Sequence, residues 1–379
     1  MNIFKTLRLN KLRWRHWVLI ILLILITLVK MNMMWGMRYT FLVYPYIASV
    51  LSHLSGWIPF AVGDIFIALS IAWCILYPIY QIGFNRKMKK SKVFCHVAEY
   101  LLWVYAWFYL AWGLNYAQPN IFLRMRMLPA KVDKQTLRDF ANRYVDSLNY
   151  LSEETTFDDR RESQFNSLKE VTRSEVLQGY NEMTSFRKGD KQKMWMGINH
   201  PFNQNPHPKT MVFTPLSSMA GVTGSMGPFF CEYTLNGDVQ PHEYPATYAH
   251  EFAHFLGIGN EGEANFYSYV VCTQARDKAV RFSGYYHIFF HVLANVYDIL
   301  GAKEGDALLK RINPKIIALA KHDRMYWRSK RCKAIDAAQD FIFELYLKGN
   351  NVKEGRKSYS GVILLILSWE KQECSIIKR

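Results

Sequence analysis

The chain has 379 residues and a formal net charge of +16, and half of it is hydrophobic with an aromatic share of 15%. Its length allows one large domain or two, and its six cysteines include no CxxC pair, which argues against a cysteine zinc site. No nucleic-acid motif accompanies the basic excess, so nucleic acid is not an expected partner; the charge reads as a topology signal and as attraction to an anionic membrane.

Apolar residues concentrate in the first third and predict three transmembrane helices, at about 17–35, 60–82 and 98–117. Crossing ~30 Å of hydrocarbon takes roughly 20 mostly apolar residues. The second and third segments meet this requirement and carry Trp and Tyr toward their ends, as interfacial anchors do. The first has a shorter core, WVLIILLILITLV, but no small-x-small cleavage site follows it, so it reads as an uncleaved anchor. Lys5, Arg8, Lys11, Arg13 and Arg15 precede the first span, and Arg86, Lys87, Lys89, Lys90 and Lys92 lie between the second and third. The positive-inside rule then puts the N-terminus and the 83–95 loop in the cytoplasm, with everything after residue 118 outside. The expected domains are a membrane domain, 1–117, embedded in the lipid bilayer, and an extracytoplasmic domain, 118–379, long enough to bury its own core. Asp64 and Glu99 fall near span ends, where water reaches them.

In the outer part, Leu137, Phe140, Tyr144, Leu148 and Leu151 recur at helical spacing and predict a helix from about Val132. A second helix is expected over 162–183. The stretch 184–228, rich in Gly, Pro, Asn and Ser, reads as loops and short strands. FFCEYTLN (229–236) alternates apolar and other residues and predicts a half-buried strand. From Ala246 onward the pattern is helical, with breaks expected near 257–260, 281–284, 301–305, 312–314 and 349–357. VILLILSW (362–369) is too short to span a bilayer and reads as a buried helix. The fold class is therefore mainly α with a small sheet.

Chemistry concentrates in AHEFAHFLGIGNEGEANF, residues 249–266. HEFAH is an HExxH pattern: His250 and His254 stand one helical turn apart and can converge on one metal, while Glu251 beside them can act as general base toward water. Position 260 is Asn, a poor zinc ligand, so the HExxHxxGxxH alternative fails. The third ligand is then sought among the glutamates. Glu263 stands three residues after Asn260, where a capping-box acid reaches back. Glu261 has only the helix dipole to complement, and is preferred as the ligand, with Glu263 the alternative. The 229–236 strand is placed to receive an extended peptide by strand addition. Tyr285, Tyr286 and His287 are candidate donors to a developing oxyanion, with Tyr285 taken forward as catalytic. His242 reads as a loop residue and His291 as a core histidine.

HEFAH followed by EGEAN resembles the HExxH and ExxA[DN] pattern of gluzincin zinc peptidases, in which the first Glu of the second element ligates the metal, matching Glu261. More broadly, HEFAHFLGIGNEGEANF, YPYIASVLSHLSGWIPFAVGDI (44–65), RFSGYY (281–286) and VKEGRKSYSGV (352–362) are similar to domain-of-unknown-function family 3810. Those are bacterial multi-pass membrane proteins, and the resemblance covers most of the chain. It implies a zincin-like α+β outer domain, a bacterial cytoplasmic membrane and no established substrate. Together these readings lead to an expected membrane-anchored zinc metallopeptidase acting on envelope peptides or proteins, with Zn2+ on His250, His254 and Glu261. The alternative expectation is a non-catalytic zincin-like scaffold or sensor that binds metal or peptide.

Overall fold

The computed structural model describes residues 13–85, 88–157, 162–184, 197–198, 206–350 and 361–377. Among the described residues, three helices are long and apolar enough to cross a membrane, Trp14–Met31, Val62–Asn85 and Lys90–Ala111, and little of their surface is buried inside the protein. The first, α1 (Trp14–Met31), stops short of the predicted Trp35. The Asn32 side chain accepts from Met34 N and Trp35 N, so it caps a new helix, α2 (Met33–Arg38), and ends the old one. The segment between the first two spans is helical: α2 leads through a π-helical turn at Tyr39–Val43 into α3 (Tyr44–Gly56). The second span comprises α4 (Val62–Ile79) and a π-helical continuation, Tyr80–Asn85. The third, α5 (Lys90–Ala111), begins eight residues before the predicted 98 and ends at a 3-10 turn, Gly113–Ala117. Glu99 of α5 meets Arg15 of α1 at 3.0 Å, which supplies its charge partner.

The rest of the chain forms a helical body. A short α6 (Ile121–Arg124) leads to α7 (Lys134–Glu154), capped by Asp133, and α8 (Glu162–Thr184), as the periodicity predicts. The described part of 184–228 holds β1 (Lys209–Thr210), β2 (Gly224–Gly227) and a helix, α9 (Thr214–Met219), that the loop reading missed. Residues 185–196 and 199–205 lie outside the described residues.

The expected strand at 229–236 is shorter, β3 (Glu232–Leu235), and buried at every position. Its alternation does not mark a solvent face because both sides are covered. One side packs on the metal-motif helix; on the other, Glu232 accepts from Val62 N (3.2 Å) and Gly63 N (2.8 Å) at the start of α4. A carboxylate at these orphan N–H groups complements the helix dipole. Lys209 pairs with the same carboxylate and donates to Ser55 O and Phe60 O. The strand order is β1-β3-β2, with β1 parallel and β2 antiparallel to the centre, so β3 has no free edge and β2 does. The free edge expected at β3 therefore falls, among the described residues, on β2.

The core is built on α10 (Tyr244–Phe255), α11 (Glu261–Thr273) and α12 (Lys278–His287), wrapped by α7 and α8. Gly257, at φ +92°, helps reverse the chain between α10 and α11, as expected. The break expected at 281–284 is absent. Asp277 caps α12, so the interruption falls at 274–277, and Gly284 sits mid-helix because a Cβ there would meet Cys272 Cβ at 2.5 Å. The chain continues through α13 (Phe289–Leu300), α14 (Ala302–Arg311), α15 (Pro314–Lys330), α16 (Lys333–Gly349) and the buried α17 (Val362–Ile377). Most of the expected break at 349–357 lies outside the described residues.

Body and spans are hydrogen-bonded to each other at the end of the motif helix. Trp112 Nε1 donates to His254 O (2.9 Å), Tyr44 Oη to Phe255 O (2.6 Å) and Gln118 Nε2 to Gly257 O (2.6 Å). The end of an α-helix leaves carbonyls without intrahelical partners; Tyr44 and Gln118 satisfy those of Phe255 and Gly257, and Trp112 adds a second donor to His254 O, which also accepts from Gly257 N at 3.0 Å.

Candidate metal centre and its cleft

Along α10, His250 and His254 share one face, and the turn after Phe255 brings the first residue of α11 against it. His250 Nε2 lies 3.0 Å from His254 Nε2 and 3.1 Å from Glu261 Oε2, and His254 Nε2 is 3.4 Å from the same oxygen. Ligands ~2.0–2.2 Å from a tetrahedral zinc stand roughly 3.3–3.6 Å from one another. The three atoms thus need to move apart by only a few tenths of an ångström to hold such an ion. His254 Nδ1 donates to Ile258 O at 2.6 Å, which fixes the tautomer that turns the Nε2 lone pair toward the cluster.

The electrostatics of the cluster favour positive charge at its centre. Burial works against charging His254, yet Glu261 beside it raises its pKa to about 9. Burial likewise opposes ionisation of Glu261, but the two histidines hold it well below the usual carboxylate range. Such a cluster takes up a proton or, where one is offered, a metal cation that displaces it.

Glu251 is buried beside the pair, and its Oε2 and His250 Nδ1 have no hydrogen-bond partner among the described residues. Burial raises the Glu251 pKa, against the pull of the two histidines. Its Oε1 sits where a side chain at Gly224 would go: a Cβ there would lie 2.4 Å away. The absence of a side chain at 224 lets the edge strand β2 approach the acid.

Glu263 faces elsewhere. Its Oε2 accepts from Arg124 Nη2 at 2.6 Å and its Oε1 from Ile121 N at 2.8 Å, both buried. Asn260 caps α11 by accepting from Glu263 N, while the Glu263 carboxylate serves the tie to α6 instead of a reciprocal cap. Tyr285 is not brought to the cluster. It packs against Tyr144 and Tyr269, with ring centroids 5.6 Å away in each case. Tyr286 donates to Asp323. His287 does reach the cleft, with Nε2 2.9 Å from Asn265 Oδ1, and burial beside His250 and His291 lowers its pKa to about 3. His291, expected in the core, also lines the cleft.

These residues open onto a cleft of about 650 Å³. Its other walls are β2 and the loop before it, Phe108 and Trp112 at the end of α5, and Asp336, Gln339 and Asp340 of α16. No spacing signal tied α16 to the site, because a polar helix face reads as solvated until the fold shows what it faces.

A second group, His242, Glu243 and Asp323, also lies close enough to share a metal. Most of its polar atoms are already paired: His242 Nε2 is 2.8 Å from Asp323 Oδ2, which accepts from Tyr286 Oη at 2.5 Å, and Trp327 Nε1 donates to Glu243, while Asp323 Oδ1 has no hydrogen-bond partner among the described residues.

Among known proteins, no curated protein and no solved structure matches the chain. One family does: the sequence model described as Protein of unknown function (DUF3810) matches residues 39–367. With that match running from the α2–α3 junction into α17, the chain belongs to the DUF3810 family of proteins of unknown function.

Proposed function

We propose that the protein is a membrane-anchored, zinc-dependent peptidase of the zincin type. The observation that carries this is the convergence of His250, His254 and Glu261 beside a buried, partly unpartnered Glu251 in an open cleft. His250, His254 and Glu261 would hold the ion. When bound, it supplies Lewis acidity toward a water and a scissile carbonyl. Glu251 takes the proton from the attacking water as the C–O bond forms, then returns it to the amide nitrogen as the C–N bond breaks. Its raised pKa suits this two-way transfer better than an ordinary carboxylate would. The open edge of β2 aligns an extended peptide by main-chain hydrogen bonds, across the acid that Gly224 leaves room for. The basic residues flanking the first and third spans support a bacterial inner-membrane topology, with the N-terminus in the cytoplasm and the body outside.

The test is metal analysis and peptide hydrolysis on the purified protein. The wild type is expected to carry about one zinc per chain and His254→Ala none, while Glu251→Gln keeps zinc and loses about 10²–10⁴-fold in hydrolysis. A Glu251→Gln form as active as wild type would leave the metal a structural role only.

A further inference from the structure

Helix α16 is inside out. Asp336, Gln339 and Asp340 line the cleft, while Ala334, Ala337, Ala338, Phe341 and Ile342 are exposed. The two sets occupy opposite faces at helical spacing. Phe341 and Ile342 are 66% and 61% exposed, so the apolar face looks away from the protein. A water-facing helix has the reverse arrangement.

Both ends of α16 are tied to the level where the spans meet the body. At its C-terminal end, Gly349 O accepts from Lys30 Nζ and Asn350 Oδ1 from Tyr109 Oη, at the last turns of α1 and α5. Before its N-terminal end, Cys332 N donates to Met219 O of α9. The chain leading into α9 is itself fixed to the start of α4, where Asp64 Oδ2 accepts from Val212 N at 2.8 Å. Phe213, Leu216 and Met219 of this neighbouring segment are also exposed. The exposed apolar residues of α16 and α9 therefore sit on elements tied to the last turns of α1 and α5 and to the start of α4. At the same level, Phe229 packs on Phe66 of α4 and accepts a hydrogen bond from Trp107 Nε1 of α5 while lining the cleft.

We infer that α16 is an interfacial strap. Its Phe341 and Ile342 face is seated in the outer part of the bilayer and its acidic face roofs the cleft, so the site receives polypeptides anchored in the same membrane. Strap and span ends place the cleft at the lipid boundary, where a peptide tethered by an acyl chain or a transmembrane tail is concentrated and a freely dissolved one is not. The choice of substrate class rests on the peptidase reading; the seating of α16 does not.

Two measurements on the full chain in lipid nanodiscs test this. Benzoylphenylalanine at 341 or 342 is expected to photocross-link to lipid, whereas at Tyr150, exposed on α7, it gives none. Cross-links from 341 and 342 to a second copy of the chain, or none to lipid, would overturn the seat. The second measurement compares one peptide with and without a palmitoyl chain. The acylated form is expected to be cleaved at least about tenfold faster, and the Phe341→Asp/Ile342→Asp variant, with its zinc content unchanged, brings the ratio toward one. Phe341→Leu/Ile342→Leu retains the preference. Equal rates for both peptides on the wild type would refute the anchored-substrate claim. Lipid adducts without hydrolysis of either peptide would uphold the strap and count against the peptidase instead.

Discussion

Two buried clusters of histidine and carboxylate stand among the described residues, and they differ in where their lone pairs point. At His242, Glu243 and Asp323, Tyr286 and Trp327 donate to the carboxylates, leaving only Asp323 Oδ1 unpartnered among the described residues, and the His242 ring packs against Phe157 and Tyr286. At His250, His254 and Glu261, the three candidate ligand atoms face one another and the cleft. Both bring three histidine or carboxylate ligand atoms within reach of one ion, two histidines and a glutamate in one and one histidine with two acids in the other. Whether a neighbouring side chain has already supplied the hydrogen decides between a structural latch and a site that attracts a cation.

The largest effect that tests this comparison is on metal content. Glu261→Gln is expected to remove most of the zinc measured on the purified protein. Glu263→Gln should retain the metal but destabilise the fold by about 3–5 kcal/mol, because it leaves Arg124 charged and buried without its partner. The reverse result in metal analysis would exchange the roles of the two glutamates.

Next in size is Gly224→Ala. Its methyl group displaces the Glu251 carboxylate, and a shift of about 1 Å in a reacting group costs on the order of 10²-fold in rate. Zinc content should not change, so kinetics alone reveal this one; unaltered kinetics would mean that β2 does not constrain the acid.

The smallest effect belongs to the latch. Asp323→Asn is expected to lose about 1–3 kcal/mol of stability at neutral pH and no metal. Burial opposes ionisation of Asp323, but the hydrogen bonds from His242 and Tyr286 lower its pKa below the ordinary 3.8. The carboxylate therefore contributes fully above about pH 4, and the contribution is lost as pH falls through the lower folded value. Melting curves of the two forms should run parallel from pH 7 to 5 and converge below pH 4. A gap that widens on acidification would contradict the assignment.

Much of this architecture was legible in local pattern. Helical spacing gave α7, α8 and α17, hydropathy gave three membrane-length helices, and the HEFAH and EGEAN spacing brought His250, His254 and Glu261 together. What was not legible depended on partners distant in the chain. The period of β3 suggested a wet face because nothing local shows that Lys209 and the start of α4 cover it. Ser283 and Gly284 looked like a helix break, although Gly284 is where α12 presses on Cys272. Tyr285 lay close in sequence to the motif, yet the helix turns its ring toward Tyr144 and delivers His287 to the cleft.

The three bonds from Trp112, Tyr44 and Gln118 to the end of α10 have a consequence for how the protein can be made. Two of those donors, Tyr44 and Trp112, belong to the membrane half, so that half completes the folding unit of the motif helix and is more than a tether. A chain begun at residue 119 would leave the Phe255 and Gly257 carbonyls without these donors, at about 1–3 kcal/mol each, and His254 O with Gly257 N alone. It is expected to express as aggregate or as a loose, protease-sensitive species, and a compact, zinc-loaded soluble fragment would disprove this. Assembly of the His250, His254 and Glu261 cluster is thereby coupled to insertion of the spans, so a chain still waiting for the membrane would have no finished cluster.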